Sequence, residues 1–208
     1  GWSHGDQEIF SVPELVEVFG LDHVGKSPGV WDGKKLEWVN AQHIAGLDLV
    51  DLAGRVAPRI AAAGFAPQPV DATFLRRIET LRGRAQTLNA FVDSGAFYWT
   101  DHEDLQYAVD TKGFKKWMKA GARPVLEATV GALDALDDWS KAGIEGALTP
   151  LLESLGIGMG KLAQPIRCSI VGTPVSPGVY ETLEALGKEQ AMPRLRKGIT
   201  LCAQPVAS

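Results

Sequence analysis

The amino-acid sequence predicts an all-α protein, and three observations carry that reading. Helix-starting signatures recur along the chain: Ser11-Val12-Pro13-Glu14, then Asp32, Asp48, Asp71, Thr87 and Ser140, each ahead of apolar residues at helical spacing. Glycines such as Gly20, Gly46, Gly64 and Gly187 stand where those runs should stop. Alternating strand patterns are almost absent, and the only rival, Cys168-Ser169-Ile170-Val171, is too short to decide between helix and strand.

The first helix is expected from the Ser11 capping box to about Phe19, followed by a loop containing Ser27-Pro28-Gly29. Asp32 caps a second helix, Gly33 to about Ile44. Asp48 caps a third carrying Leu49, Leu52, Val56 and Ile60, which Pro58 should kink or break. After the extended linker Ala66-Pro67-Gln68-Pro69, Asp71 caps a helix with Phe74, Leu75, Ile78 and Leu81. Gly83 interrupts, and Thr87 restarts a helix with Leu88, Phe91 and Val92. The stretch Gly95 to Glu103 reads as a connection between subdomains. Pro124 opens a helix to about Leu136, and Ser140 another through Leu155 that Thr149-Pro150 should bend. Gly156, Gly158 and Gly160 mark a flexible turn, with Pro165 suited to a first helical turn and Gly172 ending that run. Ser176-Pro177 repeats the cap-then-proline signature, and a last helix covers roughly Ala191 to Leu201.

The composition is that of an ordinary globular protein, with 45% hydrophobic and 22% charged residues in 208. No apolar run approaches the roughly 20 residues that span a bilayer, and no secretory leader is visible. The chain opens on Gly1 rather than Met, so an excised or processed piece is expected. Cys168 and Cys202 are far apart, which predicts neither a zinc site nor a disulfide framework and favours a reducing, cytoplasmic setting. The four histidines are scattered and read as surface or capping residues. Net charge is −4, yet basic residues cluster three times: Arg76, Arg77, Arg82 and Arg84; Lys112, Lys115, Lys116, Lys119 and Arg123; and Lys188, Arg194, Arg196 and Lys197. Each cluster is either a solvated helix face or a local phosphate footprint.

No catalytic constellation emerges. Neither GxGxxG after a strand nor GxxxxGK[ST] occurs, and Gly156-Ile157-Gly158-Met159-Gly160 lacks the context of a phosphate loop. Adjacent Asp137 and Asp138 would point about 100° apart on a helix, so they do not form an acid–base pair. No Ser, His and Asp are spaced as a triad.

Several segments carry a resemblance. Gly1 to Ser11, Lys26-Ser27-Pro28, Asp32 to Asn40, Thr87-Leu88, Lys161 to Arg167, Ser176 to Tyr180 and Leu186 to Glu189 resemble, in order and spacing, the C-terminal tRNA-binding region of bacterial glutamyl-tRNA synthetase, a class I aminoacyl-tRNA synthetase. The first segment and Lys34 to Asn40 are the specific ones; the helices between about Gly121 and Gly156 match loosely. The family's HIGH and KMSKS signatures are absent, and by the resemblance they would lie upstream of Gly1.

The resemblance implies a stem-contact end at 1–47, a first helical anticodon-binding domain at 48–98, a second, an α-helical cage, at 99–203, and a tail at 204–208. It implies tRNA(Glu) and the upstream catalytic domain of the same enzyme as partners, with neither membrane nor DNA. ATP and Mg2+ would serve the parent enzyme, and this piece alone would hold no cofactor, metal or catalytic residue. The alternative is a stand-alone helical RNA-binding or scaffold module. Lys35 and Trp38, at i and i+3, share one helix face and match residues that touch the tRNA backbone; otherwise Trp38 is core and Lys35 solvated. Arg84 matches an arginine that reads the third anticodon base, C for glutamate against G for glutamine, which implies rejection of glutamine tRNA; the bland alternative is a salt bridge to Glu79. Arg167 and Ser176, Pro177, Gly178 and Val179 match the pocket for the first two bases. Tyr180 would stack on a base or pack in the core.

Overall fold

The computed structural model of the chain describes residues 1–26 and 29–202; the predicted loop at Ser27-Pro28 and the tail at 204–208 lie outside the described residues. All regular structure among the described residues is helical, apart from an isolated antiparallel bridge between His4 and Gln7.

The predicted caps at Ser11, Asp32, Asp48, Asp71, Thr87 and Ser140 are formed. α1 (Val12–Val18) has the full box: the Glu14 N–H donates to Ser11 Oγ at 3.3 Å and the Ser11 N–H to Glu14 Oε2 at 2.7 Å. Asp32 caps α2 (Gly33–Gly46), Asp48 caps α3 (Leu49–Ala62), Asp71 caps α4 (Ala72–Arg82) and Thr87 caps α5 (Leu88–Ser94). α3 runs through Pro58 without the break that was one of the two expected outcomes. Gly54, the residue four before it, is exposed, so water can satisfy the carbonyl that the missing N–H leaves free. Burial of Leu52, Val56 and Ile60, at about 1.5–3 kcal/mol each, outweighs a proline penalty of about 3 kcal/mol.

The stretch read as a connection instead begins with a helical turn, α6 (Ala96–Trp99), whose Phe97, Tyr98 and Trp99 are buried. α7 (Lys112–Trp117), α8 (Arg123–Asp134), α9 (Lys141–Leu148) and α10 (Pro150–Ser154) follow, and at Thr149-Pro150, where a bend was expected, the helix divides in two. α11 (Met159–Val171) places Pro165 in its interior rather than its first turn, and it absorbs the Cys168–Val171 run as helix. Eight of its residues are buried, and that packing sets its length. α12 (Val179–Leu186) and α13 (Lys188–Leu201) complete the chain.

One hydrophobic core runs from Ile44 to Cys202. α3, α4 and α5 pack together, and α4 lies against α12. α8, α11 and α13 form the second packing centre, with α7 on α11 and α9 on both α8 and α12. The first 47 residues contribute little: α1 buries nothing and α2 buries only Ile44.

Candidate nucleic-acid interface

The break between α4 and α5 presents Arg84. The Arg84 N–H bonds back to Leu81 O at 3.1 Å and the neighbouring Ala85 is buried, so the backbone is held while the side chain extends outward. Two contacts anchor this break to α2: Asn40 Nδ2 donates to Gln86 O at 2.6 Å, and Arg82 donates to the Ala45 and Leu47 carbonyls at the end of α2. Arg82 also makes the ion pair with Glu79, at 3.3 Å, which leaves Arg84 free of that alternative.

Arg84 Nη1 donates to the Ser176 carbonyl at 2.8 Å. From α11, Arg167 Nε donates to Ser176 Oγ at 3.1 Å, and that hydroxyl donates to Pro177 O at 2.9 Å. Ser176 is therefore not the helix cap its sequence suggests. It is turned inward, 6% exposed, and Gly178 takes the cap position of α12 without a side-chain bond. Two arginines compete successfully for the groups a cap would use.

Both guanidiniums thus meet at one serine. Burial, and secondarily the Arg84 charge, hold the Arg167 pKa below the usual arginine value. A cavity of about 150 Å³ opens beside them, lined by Leu81, Arg84, Ala85, Ala90, Ser94, Val175, Ser176 and Pro177. Its walls are mostly apolar, and Arg84 is the one charged side chain among the lining residues, with no carboxylate beside it. A guanidinium has five N–H donors and no acceptor, and the Ser176 carbonyl takes one Arg84 donor. The site suits a flat group that offers acceptors along one edge.

The structure separates the remaining candidates. Gly178 and Val179 start α12 directly after the serine, with Val179 buried. Tyr180 is also buried, its hydroxyl 3.8 Å from Met159 Sδ, so its ring packs in the core rather than lying open for stacking. Lys35 and Trp38 share the exposed face of α2, and Trp38 is 43% exposed, not core. Lys35, however, is ion-paired with Glu8, a partner 27 residues away that helix spacing could not reveal. Asn40 and Arg82 were missed as positioning residues; Asn40 lies within a segment that carries the resemblance, but Arg82 had no signal beyond its charge.

Comparison with known proteins bears on this site. Residues 49–199 match the model of the anticodon binding domain. The chain is 38% identical over 202 residues to the glutamate–tRNA ligase of Desulfosudis oleivorans, covering 97% of this chain and 42% of that protein. It is 36% identical to the glutamate–tRNA ligase of Geobacter sulfurreducens, covering 98% of this chain and 43% of the relative. The crystal structure of a glutamate tRNA ligase from Elizabethkingia meningosepticum, in complex with its amino acid, superposes with a TM-score of 0.85 at 26% identity, over 98% of this chain and 39% of that one. The glutamate–tRNA synthetase of Elizabethkingia anophelis gives 0.81 at 27% identity, over 96% of this chain and 38% of that one. The chain therefore spans about two-fifths of the length of the relatives it matches.

Proposed function

Because the chain belongs to the anticodon-binding domain family, we propose that it reads the anticodon of tRNA(Glu) as the C-terminal part of a glutamate–tRNA ligase. The observation that supports this reading best is the meeting of Arg84 and Arg167 on Ser176 beside a cavity with apolar walls. A splayed-out cytosine offers two acceptors, O2 and N3, on its pairing edge, which Arg84 donors satisfy. Guanine offers N1–H and N2–H there, so donors face donors. An unpaired donor costs roughly 1–3 kcal/mol, about ten- to hundredfold in binding. Ser176 fixes the Arg84 guanidinium before any base arrives, which reduces the ordering cost of recognition.

In this reading Arg167 orients Ser176 and Pro177, whose turn receives the first two bases together with Gly178 and Val179. Trp38 offers an exposed aromatic face to the tRNA backbone, while Lys35 must exchange Glu8 for a phosphate. Tyr180 supports the turn from the core. Attachment of glutamate, with ATP and Mg2+, belongs to the rest of the parent ligase in a cytoplasmic setting.

The test is binding of the chain to glutamate tRNA and to the same tRNA with its third anticodon base changed from C to G, at two salt concentrations. The expected outcome is a preference for C of about ten- to hundredfold that Arg84→Ala abolishes. Equal affinity of the unmodified chain for both tRNAs would remove Arg84 from recognition.

A further inference from the structure

Two of the three basic clusters in the sequence are largely engaged within the fold, apart from Arg84 at the site above and Lys197, which has no ion pair among the described residues. Arg76 pairs with Glu184, Arg77 donates to the Ala185 and Tyr98 carbonyls, and Arg82 donates to carbonyls of α2. Lys188 donates to the Asp134 and Leu136 carbonyls, Arg194 is buried, and Arg196 pairs with Asp134. The cluster around α7 behaves differently. Lys115 pairs with Asp110 and Arg123 with Glu127, but Lys112, Lys116 and Lys119 form no ion pair among the described residues. Lys161, in the first turn of α11, has none either.

Three of these lysines surround one groove. A cavity of about 300 Å³ is bounded by Lys116, Lys119 and Lys161, with Trp117, Ile157 and Pro165 among its apolar lining, and no acidic residue borders it. Trp117 is only half-buried, and the Lys116 ammonium stands 4.7 Å from its ring centre. The net charge of the chain is −4, so a groove that concentrates unpaired cations is a local feature against an opposing background.

We propose that this groove is a second RNA contact, gripping the sugar–phosphate backbone of the tRNA strand beside the anticodon. The identity of the RNA rests on the anticodon reading above. Three ammonium groups around a groove match a polyanion better than a single small ion, and an apolar floor with an aromatic edge accepts ribose or base faces. Lys161 and Arg167 lie on the same helix, about 9 Å apart along the axis and about 120° apart around it, so a strand leaving the Arg84 cavity must pass round α11 to reach the groove. The contact is sequence-independent: it adds affinity and salt dependence while Arg84 supplies the choice of base.

The experiment is a salt titration of tRNA binding to the full chain and to the triple variant Lys116→Ala/Lys119→Ala/Lys161→Ala. A control, Arg55→Ala/Arg59→Ala/Lys197→Ala, removes the same charge elsewhere. The groove variant should bind the C and G tRNAs equally more weakly, keep the Arg84-dependent preference, and show a salt slope shallower by about 2. An unchanged slope, or the same loss in the control, would overturn the proposal. A second arm uses a fluorescently labelled single-stranded RNA without this anticodon, at low salt. If the unmodified chain binds no tRNA, the anticodon reading fails and this arm decides the groove: binding lost only in the groove variant sustains an RNA contact, and equal binding by the groove variant and the unmodified chain, or none by either, rejects it.

Discussion

Arg194 is 1% exposed, yet no carboxylate among the described residues is bonded to it. It instead donates to three carbonyls, Phe97 O and Ile170 O at 2.8 Å and Thr100 O at 2.6 Å, and burial pushes its pKa down to about 10. Because the folded pKa lies below the unfolded one, its contribution improves with pH only above about 10 and is constant at neutrality. Arg194→Met should lower stability by about 3 kcal/mol or more in urea denaturation, since buried carbonyls lose donors. Arg194→Lys should not rescue it, because an ammonium cannot reproduce the planar fork. Glu181 has the opposite sign. Its hydrogen bond to Lys141, at 2.6 Å, holds its carboxyl below the usual value. The stabilisation is present above the ordinary carboxylate pKa and fades as the pH falls through the lowered one. Glu181→Gln should therefore lower stability at neutral pH, converge with the unmodified chain at acid pH, and remove the alkaline loss that goes with the raised Lys141 pKa.

Between helices, distance of approach decides. A Cβ on Gly198 would stand 1.9 Å from Ser169 Oγ and 2.5 Å from Ser169 Cβ, so α11 and α13 meet where only glycine fits. Gly198→Ala should cost about 1–3 kcal/mol despite its better helix propensity, read as a lower denaturation midpoint. Gly172, with φ of +81°, combines a left-handed backbone with a Cβ position 2.2 Å from Gln106 O. At this scale much of the fold was legible in the sequence. Ser11, Asp32, Asp48, Asp71, Thr87 and Ser140 all cap as their spacing implied, because a cap is a local interaction within four residues. Pro58 does not break its helix, and Pro165 and Ser176 misled, because distant partners decide them: core burial carries helices through both prolines, and two arginines capture the serine. The resemblance named Arg84 and Arg167 among the candidates, and the structure brings both to Ser176. Their meeting on Ser176, and the pairing of Lys35 with Glu8, span 92 and 27 residues and leave no periodic trace.

Across the whole molecule, burial is unevenly distributed. Val12, Val16, Leu21, Val30 and Trp31 are all more than 70% exposed, and the core starts at Ile44. Removing residues 1–43 should shift the thermal midpoint by only a few degrees, at roughly 2–4 °C per kcal/mol for a chain of this size. The far end is the reverse. α13 packs against both α8 and α11, and its Arg194 grips backbone 94 and 97 residues earlier in the chain. As the ribosome releases this polypeptide from its N-terminal side, Phe97, Leu133 and Ile170 emerge well before the helix that seals them. The second half must wait, with its apolar surface open, until the last turns of α13 have cleared the exit tunnel. Its vulnerability to aggregation is thus concentrated in the interval between the emergence of Ile170 and that of α13.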